Sequence, residues 1–423
     1  MRTIILVFLL GSGLALSPGR EKATASGCAD DTLRVLFWNL ENFFDWIDGG
    51  RSDADREFSA AGARRWTRRR FMAKAAAVAK TLLWTADRCG SLPEIFAVAE
   101  VENAFVLRML LRETVLRKSD YAYVHFDSPD RRGIDVALLY RRSRLRLLEA
   151  RPVRINAVCD EDTLRTRDIL LAQLQDAAGR KWTVLVNHHP SKLGGAAAVW
   201  KREAAVRRLL DTADSLRRSG EERIIACGDF NDTPDSPVLR PLTDPAGSAG
   251  VPSAPDAKVA ENAVSGAVFV NLAEPLERRG FGTIRYEGRW ELIDLFFVPP
   301  PLAPRCAMEI LSPPFLTVHD NVHSGDRPFR TWLGPRYIGG VSDHRPVLLT
   351  VIPDKTSWEN ADFISEDNLL VLNLPETSEN QKRYEKINPF GCDSPCRRSD
   401  DCLRGRKTDR FFPTSRKGAE LCH

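Results

Sequence analysis

The chain has 423 residues, enough for one large domain or two ordinary ones, and its 43% hydrophobic and 28% charged content is that of a soluble globular protein with a sizeable core. A formal net charge of +4 is too small at this size to mark a general polyanion binder. Attraction to an anionic substrate must therefore come from local patches.

Met1-Arg2 is followed by an almost unbroken apolar run from Thr3 to Leu16, then by Ser17-Pro18-Gly19 and charged residues. The run is shorter than the ~20 residues that span a bilayer. Its basic start and apolar middle are those of a secretory signal, so residues 1–25 are expected to be a signal peptide and the protein to be exported, either periplasmic or secreted. The competing reading is a buried N-terminal strand or helix. Cleavage could follow Ala15 or the Ala23-Thr24-Ala25 triplet, while a lipidated Cys28 fits poorly because charged residues separate it from the apolar run.

Residues 32–352 are expected to form one catalytic domain, in which short apolar runs alternate with turn signals in the rhythm of an α/β sandwich. Strands are expected at Leu33 to Trp38, Glu94 to Val98, Ile134 to Tyr140, Ile169 to Leu174, Trp182 to Asn187, Arg223 to Cys227, Ile293 to Val298 and Val347 to Ile352. Helices are expected at Thr67 to Leu83 and Val199 to Leu216, where apolar residues recur at helical spacing. Thr243 to Gly266 and Ser312 to Gly340 read as long loops. Residues 353–423, polar and rich in Asn and Arg, read as a partly disordered tail. Of the nine cysteines, five are scattered (Cys28, Cys89, Cys159, Cys227, Cys306) and four lie in the tail (Cys392, Cys396, Cys402, Cys422). The tail cluster suits disulfides better than a zinc site, because its spacings are not those of paired zinc knuckles.

Several strands deliver chemistry-bearing residues at their ends. The first ends in Asn39-Leu40-Glu41-Asn42, where Asn39 alone reads as a turn residue. The second delivers Glu100, with Glu102 and Asn103 reading as helix-start residues. Asn187-His188-His189 gathers two of only seven histidines at a strand's mouth, with His189 reading as a packing or supporting residue. In Gly228-Asp229-Phe230-Asn231 an acid and an amide two apart can share one side of an extended segment. Such a pair can orient water and hold an oxyanion. Asp294 is an acid inside an apolar strand and needs a partner. Ser342-Asp343-His344 offers one: an Asp294 to His344 pair would fix the imidazole tautomer and leave Asp343 free for metal or water.

Taken in order, Phe37-Trp38-Asn39, Glu100, Asn187-His188, Gly228-Asp229-Phe230-Asn231, Asp294 and Ser342-Asp343-His344 resemble the endonuclease/exonuclease/phosphatase superfamily of deoxyribonuclease I and exonuclease III types. The likeness covers about three quarters of the chain and extends to a bacterial branch of endonuclease-like members. It implies a four-layer αββα sandwich with two face-to-face mixed β-sheets and the site at one end. It also implies that Asn39, Glu100 and Asp343 surround a metal, that His188 contacts the phosphate or assists proton transfer, and that Asp229 activates water. Asn231 would hold the phosphate and Asp294 would support His344. The family often carries a tyrosine or histidine near Arg132-Gly133-Ile134-Asp135-Val136; the Asp135 found here leaves the leaving-group acid unassigned.

The implied cofactor is Mg²⁺, with Mn²⁺ able to substitute and Ca²⁺ a structural option, since hydrolysis adds charge to an already anionic phosphodiester. The implied substrate is DNA or RNA, and no stable protein partner is inferred. A phospholipase C-like or phosphoinositide-directed activity is the rival reading. Its membrane-entry candidates are Phe297 to Leu302 and Pro313 to Leu316, both short and stiffened by proline. A non-catalytic binding module on the same fold is the alternative of a different class.

Overall fold

The structure is a computed structural model that describes residues 31–159, 162–244 and 268–352. The expected signal segment, the tail with its four cysteines, Cys28 and nearly all of the Thr243 to Gly266 loop lie outside the described residues. Cys89, Cys159, Cys227 and Cys306 are free thiols.

The strands of the two main sheets are β1 (Leu33–Phe43), β2 (Ile95–Val101), β3 (Tyr121–His125), β4 (Asp135–Arg141), β5 (Leu145–Val153), β6 (Ile169–Asp176), β7 (Lys181–His188), β8 (Ile224–Asp229), β9 (Val270–Asn271), β10 (Asp294–Val298), β11 (Cys306–Ile310) and β12 (Val347–Val351). They form two six-stranded sheets, ordered β11-β12-β1-β2-β4-β3 and β9-β10-β8-β7-β6-β5. Each sheet is mixed. A central parallel pair, β1 with β2 or β7 with β8, is flanked by antiparallel neighbours. Every expected strand is present; β3, β5, β9 and β11 were not expected.

Alternation along the strands builds the layers. Val35 and Phe37 of β1 and Ile95, Ala97 and Ala99 of β2 join the core shared with the second sheet, together with Val184, Val186 and Ile225. Leu36, Trp38, Phe96 and Val98 point the other way, into a second core beneath helices α1 (Arg68–Cys89) and α2 (Ala104–Glu113). Helix α3 (Val199–Arg218) places Ala205, Leu209, Ala213 and Leu216 on the core of the second sheet. The result is the expected αββα sandwich. Helix α1 starts under a Thr67 cap and ends at Cys89, six residues past its expected end at Leu83, with left-handed Gly90 as its cap.

The Ser312 to Gly340 segment is more ordered than a loop. It carries two short antiparallel ladders, Thr317–His319 with Asp326–Pro328 and Trp332–Leu333 with Arg336–Tyr337. Trp332 packs edge-on against Phe58 and beside Trp66, and the buried Glu41 carboxylate accepts from the backbone N–H groups of Thr331 (2.6 Å) and Trp332 (3.2 Å). Buried Lys74 donates to Glu41 O and to Thr331 Oγ1, which pegs the segment onto the exit of β1.

Candidate active site

The parallel pairs decide where the site lies. In a mixed sheet the carboxyl ends of parallel strands open a crevice that side chains from neighbouring strands can share. Here Asn39 and Glu100 lie at the register breaks toward the carboxyl ends of β1 and β2, while His188 and Asp229 end β7 and β8 as register partners. Asp294, the first residue of antiparallel β10, is the partner of Asp229 on its other side. Asp294, Asp229 and His188 therefore form one row across the second sheet. Asn39 faces that row from the first sheet, and its Nδ2 donates to Asp229 Oδ2 at 2.9 Å.

Local backbone conformation makes this meeting possible. Gly228 has φ +158°, and a Cβ there would lie 2.2 Å from Asn187 O, so only glycine lets β8 pass β7 closely enough to set Asp229 beside His188. Glu100 (φ 62°), Glu41 (φ 45°), Asn42 (φ 53°) and Asn231 (φ 52°) adopt the left-handed conformation that non-glycine residues rarely accept. Register shifts interrupt β1 after Asn39 and β2 after Ala99. The bulge on β2 takes Glu100 out of the strict alternation of that strand. This concentration of backbone strain at one end of the sandwich is typical of a functional site.

Asp229 is 1% exposed. Its Oδ2 also lies 3.7 Å from His188 Nε2 and 3.8 Å from His344 Nε2, while Oδ1 accepts from Asn231 N at 2.9 Å. Burial, with the Asp294 charge adding to it, pushes the Asp229 carboxyl up to about 7 against the opposing pull of His344 and the Asn39 bond. His344 Nδ1 pairs with Asp294 Oδ2 at 2.8 Å, the pairing expected from the sequence. Burial alone would lower the proton affinity of His344, but Asp294 and Asp229 overcome it and hold the imidazole well above its ordinary value. The backbone of His344 is set by Trp38 Nε1, which donates to its carbonyl at 2.9 Å, and by Ser342 Oγ, which accepts from its N–H at 3.0 Å. His188 is driven the other way, well below its ordinary value, by burial and by the Arg167 and Arg132 charges.

Glu100 Oε2 accepts from Asn42 N at 2.6 Å and lies 3.5 Å from Arg132 Nη2; its Oε1 is 3.9 Å from His188 Nε2. Asp343 is placed differently from its neighbours in the sequence motif. It is one-third exposed and its Oδ2 accepts from Arg330 at 2.7 Å. Asn231 spends one amide N–H on His189 O (3.0 Å), leaving the other for a ligand. His189 is fully buried edge-on against Phe230 at 4.6 Å between ring centroids, in keeping with the packing role expected of it.

Two sequence readings need correction. Asn103 does cap α2, accepting from Val106 N at 3.0 Å, but Glu102 is not a helix-start residue: it is 4% exposed and its Oε2 accepts from Asp45 N at 2.7 Å. Phe297, Val298, Leu302 and Leu316, which were candidates for membrane entry, are all buried in the core. Sequence reading also missed Lys74, Arg132, Arg167 and Arg330, whose proximity to the site depends on tertiary packing, and gave Glu41 no role beyond its place at the strand end. Asp135 turns to the outer strand, where Oδ2 is 3.1 Å from His125 Nε2 and Oδ1 accepts from Ser128 N at 3.0 Å.

Besides His125, Asp127 and Asp135, whose donor atoms also lie within 4.8 Å of one another, two groups of described residues near Asp229 are candidate homes for a divalent cation. The donor atoms of Asp229, Asp294 and His344 lie within 4.8 Å of one another. That group already carries its own counter-charge, because two carboxylates flank an imidazole held in its charged form. At the mouth, by contrast, Glu41 is pushed up to about 8 by burial and by the field of Asp343, despite Lys74 and Arg330 nearby. Glu100 and Asp343 offer oxygen donors there, which suit a hard ion, and an added cation would offset the field of Asp343 on Glu41.

The profile of the Endonuclease/Exonuclease/phosphatase family matches residues 34–352. No curated protein matches the chain. Solved structures similar to it include humanized D. rerio TDP2 (14% identity, 76% of this chain and 100% of that chain covered, TM-score 0.45). Others are the catalytic domain of human Nocturnin with bound sulfate anion (16% identity, 76% and 94% covered, TM-score 0.44) and the Bacteroides thetaiotaomicron mannosyl-6-phosphatase (16% identity, 76% and 100% covered, TM-score 0.46). With the family profile matched over most of its length, the chain belongs to the Endonuclease/Exonuclease/phosphatase family, whose members are hydrolases acting on phosphoesters.

Proposed function

We propose that this protein is a divalent-metal-dependent phosphodiesterase acting on nucleic acid, an endonuclease exported from the cell. The observation that carries the hydrolytic reading is the arrangement around Asp229 Oδ2, which receives the Asn39 amide and has the His188 and His344 Nε2 atoms within 4 Å. A buried carboxylate with a proton affinity raised to about 7 is well matched to take a proton from an attacking water near neutral pH. Charged His344, steadied by Asp294, places positive charge where phosphate oxygens gain negative charge. Neutral His188 and the remaining N–H of Asn231 donate to the same oxygens.

Glu100, with Asn39 and Asp343 around it, would hold Mg²⁺ or Mn²⁺, which supplies charge neutralisation and polarisation of the phosphate when bound. The nucleic-acid reading is supported by the cations at the same end, Arg132, Lys192 and Arg330, whose side chains are between about a third and a half exposed. The lipid reading is weakened because Phe297, Val298, Leu302 and Leu316 of its membrane-entry runs are buried and Phe315 is half-buried. Export rests on the N-terminal segment alone.

The test is a parallel assay of the purified protein with Mg²⁺ or Mn²⁺ on plasmid DNA, RNA, sphingomyelin and phosphoinositides. Cleavage of nucleic acid is expected. Turnover of a lipid with the nucleic acids intact would assign the site to the rival substrate class.

A further inference from the structure

The segment where the family often carries a tyrosine or histidine, and where Asp135 left the leaving-group acid unassigned, presents a cation. Asp135 is committed to His125 and Ser128, and the side chain this segment sends to the site is Arg132. Its Nη2 donates to Asn42 Oδ1 and lies 3.5 Å from Glu100 Oε2. Glu100 is nearly buried (12%), whereas the Arg132 side chain is 45% exposed, so the guanidinium stands between the catalytic row and solvent.

The backbone beneath Arg132 is fixed from several sides. Asp130 Oδ1 accepts from Arg132 N at 2.9 Å, Ser52 Oγ donates to Arg132 O at 2.8 Å, and the turn closes with Gly133 N donating to Asp130 O at 3.0 Å. Gly133 has φ +70°, and a Cβ there would press to 3.2 Å from Ser52 Oγ, so this turn requires glycine. The other oxygen of Asp130 pairs with Arg167 Nη1 at 3.0 Å, and Arg167 Nη2 donates to His189 O at 2.8 Å. One carboxylate thus links the Arg132 turn on the first sheet to the His188-His189 corner of the second. A surface arginine needs no such scaffold. A guanidinium that must meet an anion at a defined point does.

We propose that Arg132 is the anion-recognition side chain of this site, taking a non-bridging oxygen of the substrate phosphate at the mouth between Asn42 and Glu100. The inference rests on the phosphoester-hydrolase reading, and its test separates the two. Binding of inorganic phosphate to the full-length protein is measured by calorimetry, without turnover, for the wild type and for Arg132→Lys, Arg132→Ala and Asp229→Asn, with thermal unfolding as a control. In parallel, KM and kcat for bis(p-nitrophenyl) phosphate are measured with Mn²⁺.

Loss of a charge-assisted bond is expected to weaken phosphate binding roughly ten- to a hundredfold in Arg132→Ala. Arg132→Lys should fall between, because an ammonium keeps the charge but not the planar fork. KM should rise by a similar factor with kcat changed less, and melting temperatures should stay close to wild type. Asp229→Asn keeps the guanidinium and should still bind phosphate at least as tightly as wild type while losing turnover by ~100-fold or more, which separates anion recognition from hydrolysis. Phosphate binding and KM unchanged in a folded Arg132→Ala protein would overturn the proposal, as would a wild type that binds no phosphate. Phosphate binding that depends on Arg132 in a protein with no phosphoesterase activity would uphold the anion site and sink the hydrolytic reading instead.

Discussion

Asp229 is surrounded by groups that each favour a different protonation state, and its chemistry follows from which of them wins. Burial outweighs the Asn39 bond and the nearby imidazole charge, so the carboxyl keeps a proton affinity near neutrality. Replacing it by Asn preserves the Asn231 N–H contact through the amide oxygen but removes the base. Asp229→Asn is therefore expected to lower kcat by at least ~100-fold while melting normally, as checked by single-turnover kinetics and thermal unfolding. His344 and Asp294 act as a unit through the 2.8 Å bond. His344→Ala and Asp294→Ala should each be severe and the double variant little worse than either; additive losses would refute the pairing. Asn39, Asp229, Asp294 and His344 were legible in the sequence because strand-end acids and amides stand out against apolar runs. Arg132 and Lys74 were not, since a lone basic residue looks like solvated surface until packing shows what it faces, and Glu41 was visible at its strand end without the partners that give it a role.

At the scale of elements, the buried glutamates hold the strand exits together. Glu102 follows β2 and ties down Asp45 beyond β1. Burial pushes its carboxyl up from 4.5 to about 8, with the Asp45 and Asp55 charges adding to the rise. Below pH 4.5 both folded and unfolded chains carry the proton. As pH rises toward 8 the unfolded chain gives it up first, so the stability contributed by the neutral form is lost across that window. Glu102→Gln keeps an acceptor for Asp45 N and removes the titration, and is expected to flatten the decline of melting temperature between about pH 5 and pH 8. A variant whose pH profile matched wild type would contradict the assignment. The strands missed from sequence have a common physical cause. β3, β5, β9 and β11 lie at sheet edges, and β5 in particular buries only its two ends, so neither alternation nor a continuous apolar run marks it.

At the scale of the molecule, the last described strand, β12, lies between β1 and β11 and carries His344 just ahead of it, so every described strand of the sandwich and every candidate site residue lies before Ile352. A chain cut after Asp354 is expected to fold and keep its turnover; an insoluble or inactive product would show that the segment with the late cysteines belongs to the core. EDTA is expected to abolish hydrolysis, and Mg²⁺ or Mn²⁺ to restore it, because the mouth gathers oxygen donors of the kind that hold a hard cation.

The measurement that bears most directly on the whole account is phosphodiester cleavage by wild type and Asp229→Asn, purified identically beside an empty-vector preparation and supplied with Mg²⁺. Metal-dependent cleavage by the wild type, lost by ~100-fold or more in the folded variant, is the predicted result. Equal turnover by the two proteins, or cleavage that persists in chelator, would contradict it.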